Sequence, residues 1–105
     1  MFSFEWYGAR AMMSMRLEKG CGAWGLEYRP DFNPIEAGLD TFINWKKDFI
    51  GKKTCLKLKK STPKQKLVSM TIDVEGIDVT NDEAILHDGV AVGYVSSGGY
   101  GHRTK

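Results

Sequence analysis

Cysteine is scarce in this sequence. Cys21 and Cys55 are the only two, they stand far apart, and their spacing matches no metal-binding pattern. A disulfide between them stays open at the level of sequence. Two reduced thiols in a cytoplasmic protein are the simpler expectation, because nothing else points to an oxidising compartment. Histidine is as rare. His87 and His102 have no ligand partner at a useful spacing, so no metal centre is expected. No Ser-His-Asp order stands out, and Cys55 lies in a run of lysines with no partner base, which argues against nucleophilic catalysis. No apolar stretch is long enough to span a bilayer. The opening residues bring a glutamate at position 5 before any apolar run, which argues against a secretory signal. One-sided charge is also lacking: 15 basic against 13 acidic side chains leave +2, too little by itself to argue for nucleic acid.

What is present reads as one small globular unit of 105 residues, with ordinary shares of hydrophobic and charged residues. The first segment predicts a helix, with Ser3 as N-cap and Gly20 as its stop. Trp6, Ala9, Met13 and Leu17 recur at helical spacing, and Met12 and Met15 widen that face. A methionine-rich stripe of this kind suits an irregular core. Gly20, Gly22 and Gly25 then break the helix, and Pro30, Asn33 and Pro34 mark an irregular segment. Residues 34–39 predict one short helical turn, 41–45 a short strand, and 49–58 a second helix with Ile50, Cys55 and Leu58 available for burial. Gly51 weakens that second helix. Residues 59–64 have the composition of a linker.

Beyond the linker the pattern changes to a period of two. Val68, Met70, Ile72 and Val74 predict the buried face of a strand. Two further strands, at 84–87 and 90–95, flank Asp88-Gly89, a strong type I′ hairpin signal. The fold class is therefore α+β. An N-terminal helix and irregular segment (residues 1–60) are followed by a β part of antiparallel strands (residues 61–105). Strands with open edges invite further pairing, so a homo-oligomer through those edges is expected.

Four runs carry a family resemblance. They are Met15-Arg16-Leu17-Glu18-Lys19-Gly20, Asn33-Pro34-Ile35-Glu36-Ala37-Gly38-Leu39 and Asp48-Phe49-Ile50-Gly51-Lys52. The fourth opens at Asp88-Gly89 and closes with Gly93-Tyr94-Val95-Ser96-Ser97-Gly98-Gly99. In this order and at this spacing the chain resembles the aminomethyltransferase (glycine-cleavage T-protein) family. Ala23-Trp24-Gly25-Leu26-Glu27 looks more like the dimethylglycine and sarcosine dehydrogenase branch. The resemblance implies an incomplete piece of the C-terminal, folate-binding half. Such a piece starts at the last helix of the central α+β region (residues 1–60) and stops inside the barrel, which implies an incomplete antiparallel β-barrel over residues 61–105. The flavin domain and the region supplying the catalytic aspartate would both lie outside this chain.

The implied chemistry is one-carbon transfer on tetrahydrofolate, with weak or absent binding by these residues alone and no catalytic residue among them. Glu18 matches a family ligand position: an ionised carboxylate can accept both neighbouring N–H donors of a pterin ring. Without the family match it would be an exposed glutamate at a helix end. Lys47 is a second candidate, for the polar groups or carboxylate tail of folate, although the alignment could slip to Lys46. A third is Trp24, which could stack on a flat heterocycle or simply pack beside its glycines. Arg16 is expected to pair with a neighbouring carboxylate, and Tyr100 receives no role.

An alternative is a stand-alone binding or assembly module completed by a separate chain. A more remote reading is a nucleic-acid binder using the lysines between positions 46 and 66. A solvated helix face with a flexible linker explains them more simply, so neither nucleic acid nor membrane is expected as a partner.

Overall fold

A computed structural model of the chain describes residue 3 and residues 5–104. The architecture is α+β. Helix α1 (Ala9–Glu18), a 3-10 turn (Asp40–Phe42) and helix α2 (Lys52–Lys60) precede strands β1 (Ala84–His87) and β2 (Val90–Tyr94). The two strands pair as an open antiparallel sheet, so the barrel expected from the sequence is present only in part.

Helix α1 begins later than its sequence predicts. Its N-cap is Gly8 in extended conformation with no side-chain cap, so Ser3 does not cap it. Trp6 lies outside the helix and is fully exposed, which removes it from the apolar stripe. The physical reason is local: a glycine favours the cap over the helix interior, and no surface covers Trp6 to offset that preference. The other end closes as predicted. Gly20 takes φ +71°. Its N–H donates to the Leu17 carbonyl (2.9 Å), and the Cys21 N–H reaches back to Arg16 (2.9 Å), which is a Schellman closure.

The short turn at 34–39 is built by a capping box. Asn33 Oδ1 accepts from the N–H groups of Ile35 (3.0 Å) and Glu36 (3.1 Å), while Glu36 Oε2 accepts from the N–H of Asn33 (3.1 Å). Pro34 sits at the first helical position, where its missing N–H costs nothing.

Two expected strands are not strands. Residues 41–45 form the end of the 3-10 turn and an Asn44 turn, in which Asn44 Oδ1 accepts from the N–H of Lys46 (3.1 Å). The N–H groups of Phe42 and Ile43 bond back to the carbonyls of Leu39 (3.0 Å) and Asp40 (3.3 Å), and no neighbouring strand competes for them. Residues 67–74 make no ladder, and Val68, Met70, Ile72 and Val74 are all exposed rather than buried. Their backbone is tied only at the start, where the Leu67 N–H donates to the Glu36 carbonyl (2.8 Å).

Helix α2 is shifted as well. It starts after Gly51 (φ +89°) and runs two residues past the predicted end. Ile50 is therefore fully exposed, while Cys55 and Leu58 are half-buried. Trp45 holds this region together. Its indole N–H donates to the Asp40 carbonyl (3.2 Å), its ring meets Phe49 at 6.3 Å between centroids, and Lys59 lies 5.0 Å above it.

The hairpin follows its sequence signal. Asp88 (φ 50°) and Gly89 (φ 77°) both take positive φ, as a type I′ turn requires. Register runs from His87 opposite Val90 to Ala84 opposite Tyr94, with a bulge between Ile85 and Leu86.

No large side chain is fully buried among the described residues. Ala37 and Glu27 alone fall in the buried class. The chain spreads over 51 × 45 × 20 Å with a radius of gyration of 17.0 Å. A compact domain of this length has about 13 Å. The exposed surface is 9552 Å², whereas a compact monomer of this mass exposes about 5,900 Å².

Candidate functional site

The segment after β2 lies back along helix α1, and this return builds both polar features of the N-terminal half. Gly99 approaches the Leu17 side chain, at 3.4 Å from where a Cβ would stand. The Ser14 hydroxyl donates to the Tyr100 carbonyl. The Arg103 N–H donates to Glu18 Oε1 (3.0 Å). Gly98 makes this path possible on its other side, because a Cβ there would run into the Val79 carbonyl.

The first feature is a buried carboxylate. Glu27 Oε2 accepts from the Arg16 guanidinium (3.0 Å) and the Ala23 N–H (2.8 Å), and Oε1 accepts from the Ser96 hydroxyl (2.9 Å). Arg16 also donates to the Cys21 carbonyl (3.2 Å) and to Ser97 Oγ (2.8 Å). Burial pushes the Glu27 carboxyl up. The nearby Ser97 hydroxyl, the hydrogen bonds from the Ala23 backbone and Ser96, and the Arg16 charge together outweigh burial and hold it below the usual carboxylate range. Arg16 does pair with a carboxylate, as its sequence reading expected. Sequence reasoning gave Glu27 no structural role. The available signal was an acidic residue inside the glycine-rich, apolar run 22–28.

The second feature is a hollow of about 400 Å³ on the flank of α1. Arg10, Ser14, Met15 and Glu18 line it from the helix, and His102 and Arg103 from the returning segment. Glu18 is the last residue of α1 and is half-buried there.

The three predicted ligand residues do not converge. Trp24 is 84% exposed and borders a separate hollow of about 200 Å³ with Tyr28, Arg29, Phe32 and Pro34. Lys47 is exposed and lines neither hollow, and its carbonyl accepts from Lys52 Nζ (2.8 Å). Of the three, Glu18 alone lines the hollow beside α1. Trp24 and Lys47 are not gathered around it. Among the described residues no group of acidic, histidine and cysteine side chains could hold a metal ion. No described helix is long and apolar enough to cross a membrane. Both thiols are free.

Comparison with known proteins agrees with the motifs. The family model for the GCVT N-terminal domain matches residues 1–47, and that for the glycine cleavage T-protein C-terminal barrel domain matches residues 65–105. Human mitochondrial dimethylglycine dehydrogenase is 41% identical over 98 residues, which is 91% of this chain and 11% of that protein. Mouse mitochondrial sarcosine dehydrogenase is 32% identical over 96 residues, 90% of this chain and 10% of that protein. An aminomethyltransferase of Caldanaerobacter subterraneus is 37% identical over 92 residues, 87% of this chain and 24% of that protein. The chain thus spans about a tenth of the length of the dehydrogenases it matches and about a quarter of the aminomethyltransferase. By two family models in their proper order and by relatives along nearly its whole length, this chain belongs to the glycine-cleavage T-protein (aminomethyltransferase) family.

Proposed function

We propose that these residues form part of a folate-binding module of a one-carbon enzyme of the aminomethyltransferase or dimethylglycine/sarcosine dehydrogenase kind, without catalytic activity alone. Glu18 is the observation that carries the reading. It closes α1 at the edge of a hollow, and its carboxylate already accepts a backbone N–H at 3.0 Å. A pterin would offer the same kind of donor in duplicate, and a charged acceptor strengthens such bonds. When bound, tetrahydrofolate would supply the carrier atoms for the one-carbon unit. The chain's own part is to accept the ring's donors at Glu18. Lys47 and Trp24 would join only after a rearrangement that brings them to the same hollow.

The border between the two parts is placed at residues 60/61. The gap from 48 to 64 between the two family matches supports that position. A reducing compartment, the cytoplasm included, suits the two free thiols. The open edges of the β1–β2 sheet favour self-association, and they equally favour completion by a separate chain.

The test is a titration with tetrahydrofolate followed by amide NMR. Weak binding is expected, with shifts centred on Glu18 and Arg103 that vanish in Glu18→Gln. Tight stoichiometric binding, or shifts that leave Glu18 untouched, would contradict the reading.

A further inference from the structure

The small net charge conceals two opposed stretches. Residues 46–66 hold nine lysines and one aspartate, a net of +8. Residues 73–88 hold six acidic side chains (Asp73, Glu75, Asp78, Asp82, Glu83 and Asp88) and no lysine or arginine, a net of −6. Eight of the nine lysines and all six acids are exposed. Within the chain the two stretches do not neutralise each other. Among the described residues, Lys59 alone of the nine lysines reaches a carboxylate, and that is Asp40 (3.1 Å). Among the described residues the six acids meet no lysine or arginine within ion-pair distance, and Asp88 faces His87 (3.6 Å).

Helix α2 carries part of this charge against its own stability, while Lys57, Lys59 and Lys60 in its last turn suit the dipole. Its first turn has Lys52 and Lys53 and no acidic residue, where the helix dipole favours the opposite sign. Lys53, Lys57 and Lys60 repeat at four and three residues, which sets like charges side by side. An external anionic surface relieves both conflicts, and this chain carries a matching one.

We propose that two copies of this chain associate reciprocally, the lysine stretch 46–66 of each copy docking on the acidic stretch 73–88 of the other. A two-fold arrangement gives two such contacts per dimer. The spread shape leaves surface enough, since a stable interface buries roughly 1,200–2,000 Å². This contact is separate from pairing of the sheet edges, and salt distinguishes them: screening weakens the charged contact and leaves backbone pairing in place.

The test is light scattering and sedimentation of the intact chain at about 0.05 and 0.5 M salt. A dimer is expected at low salt, with its dissociation constant raised roughly tenfold or more at high salt. Lys53→Glu/Lys57→Glu/Lys60→Glu and Asp73→Lys/Glu75→Lys/Asp78→Lys are each expected to be monomeric alone, and their equal mixture is expected to dimerise again.

Carbodiimide cross-linking of a mixture of ¹⁵N-labelled and unlabelled unsubstituted chains supplies a readout independent of variant folding. Mixed-label links between the two stretches are expected. Links within one label only, a monomer at low salt, or a dimer indifferent to salt and to the substitutions would each overturn the proposal. So would a monomer whose lysines bind anionic vesicles or RNA instead.

Discussion

Glu27 and Arg16 make the most constrained contact in the molecule. Their side chains are 6% and 12% exposed, one hydrogen bond joins them to each other, and four more tie them to residues 21–23 and 96–97. Removing the guanidinium leaves a carboxylate that burial penalises. Arg16→Ala is expected to lower the local opening free energy by roughly 2 kcal/mol, read as an approximately thirtyfold drop in amide-exchange protection at Ala23. The pH dependence follows from the direction of the shift. Glu27 is held below its ordinary value of 4.5 in the fold, so its stabilising contribution is complete above that value. The contribution is lost as pH falls through the lower folded value. A side-chain carboxyl titration by NMR should place the Glu27 midpoint below 4.5, and a midpoint at or above it would refute the assignment. The candidate ligand Glu18 was legible at this scale, because a helix ending in Leu-Glu-Lys-Gly fixes where that carboxylate stands. Trp24 and Lys47 stand away from that carboxylate. Both sit on irregular segments, where side-chain position depends on packing that a short motif does not encode.

Among the elements, those written in local chemistry were readable. Asp88-Gly89 specifies its turn through two positive φ angles, Gly20 stops α1, and Asn33-Pro34-Ile35-Glu36 caps its own turn. A test of the first is Gly89→Ala, which places a Cβ at φ 77°. The expected cost is about 1 kcal/mol, seen as weakened cross-strand contacts between His87 and Val90; an unchanged hairpin would count against the type I′ assignment. The segments at 41–45 and 67–74 were misread for one shared reason. Alternation records which face of a strand should be covered, and β-propensity records which residues tolerate a ladder. Neither supplies a partner strand, and in this structure none lies beside either segment. Position 51 is a similar case: Gly51 at φ +89° starts α2 where an apolar pattern beginning at 49 predicted continuous helix.

For the whole molecule, the radius of gyration of 17.0 Å and the near-absence of buried side chains describe a chain joined by local turns, one hairpin and one polar clasp. Without a shared apolar core, cooperative unfolding is not expected. Urea transitions followed by far-UV circular dichroism and by tryptophan fluorescence should fail to coincide. Hydrophobic dyes should bind strongly, since Val68, Met70, Ile72, Val74, Val90 and Val92 are all exposed. A single coincident transition with no dye binding would contradict this picture.

The clasp between Arg16, Glu27 and the two serines has a consequence for the order in which the molecule can be made. Ser96 stands 69 positions after Glu27, and Ser97 stands 81 after Arg16. A polypeptide emerging from the ribosome delivers the acid and its guanidinium first, and domains built this way fold from the leading end. Until the serines appear, Glu27 Oε1 must draw its solvation from water. Helix α1 can therefore complete its polar lock only after the serines have followed, however early the helix itself has wound.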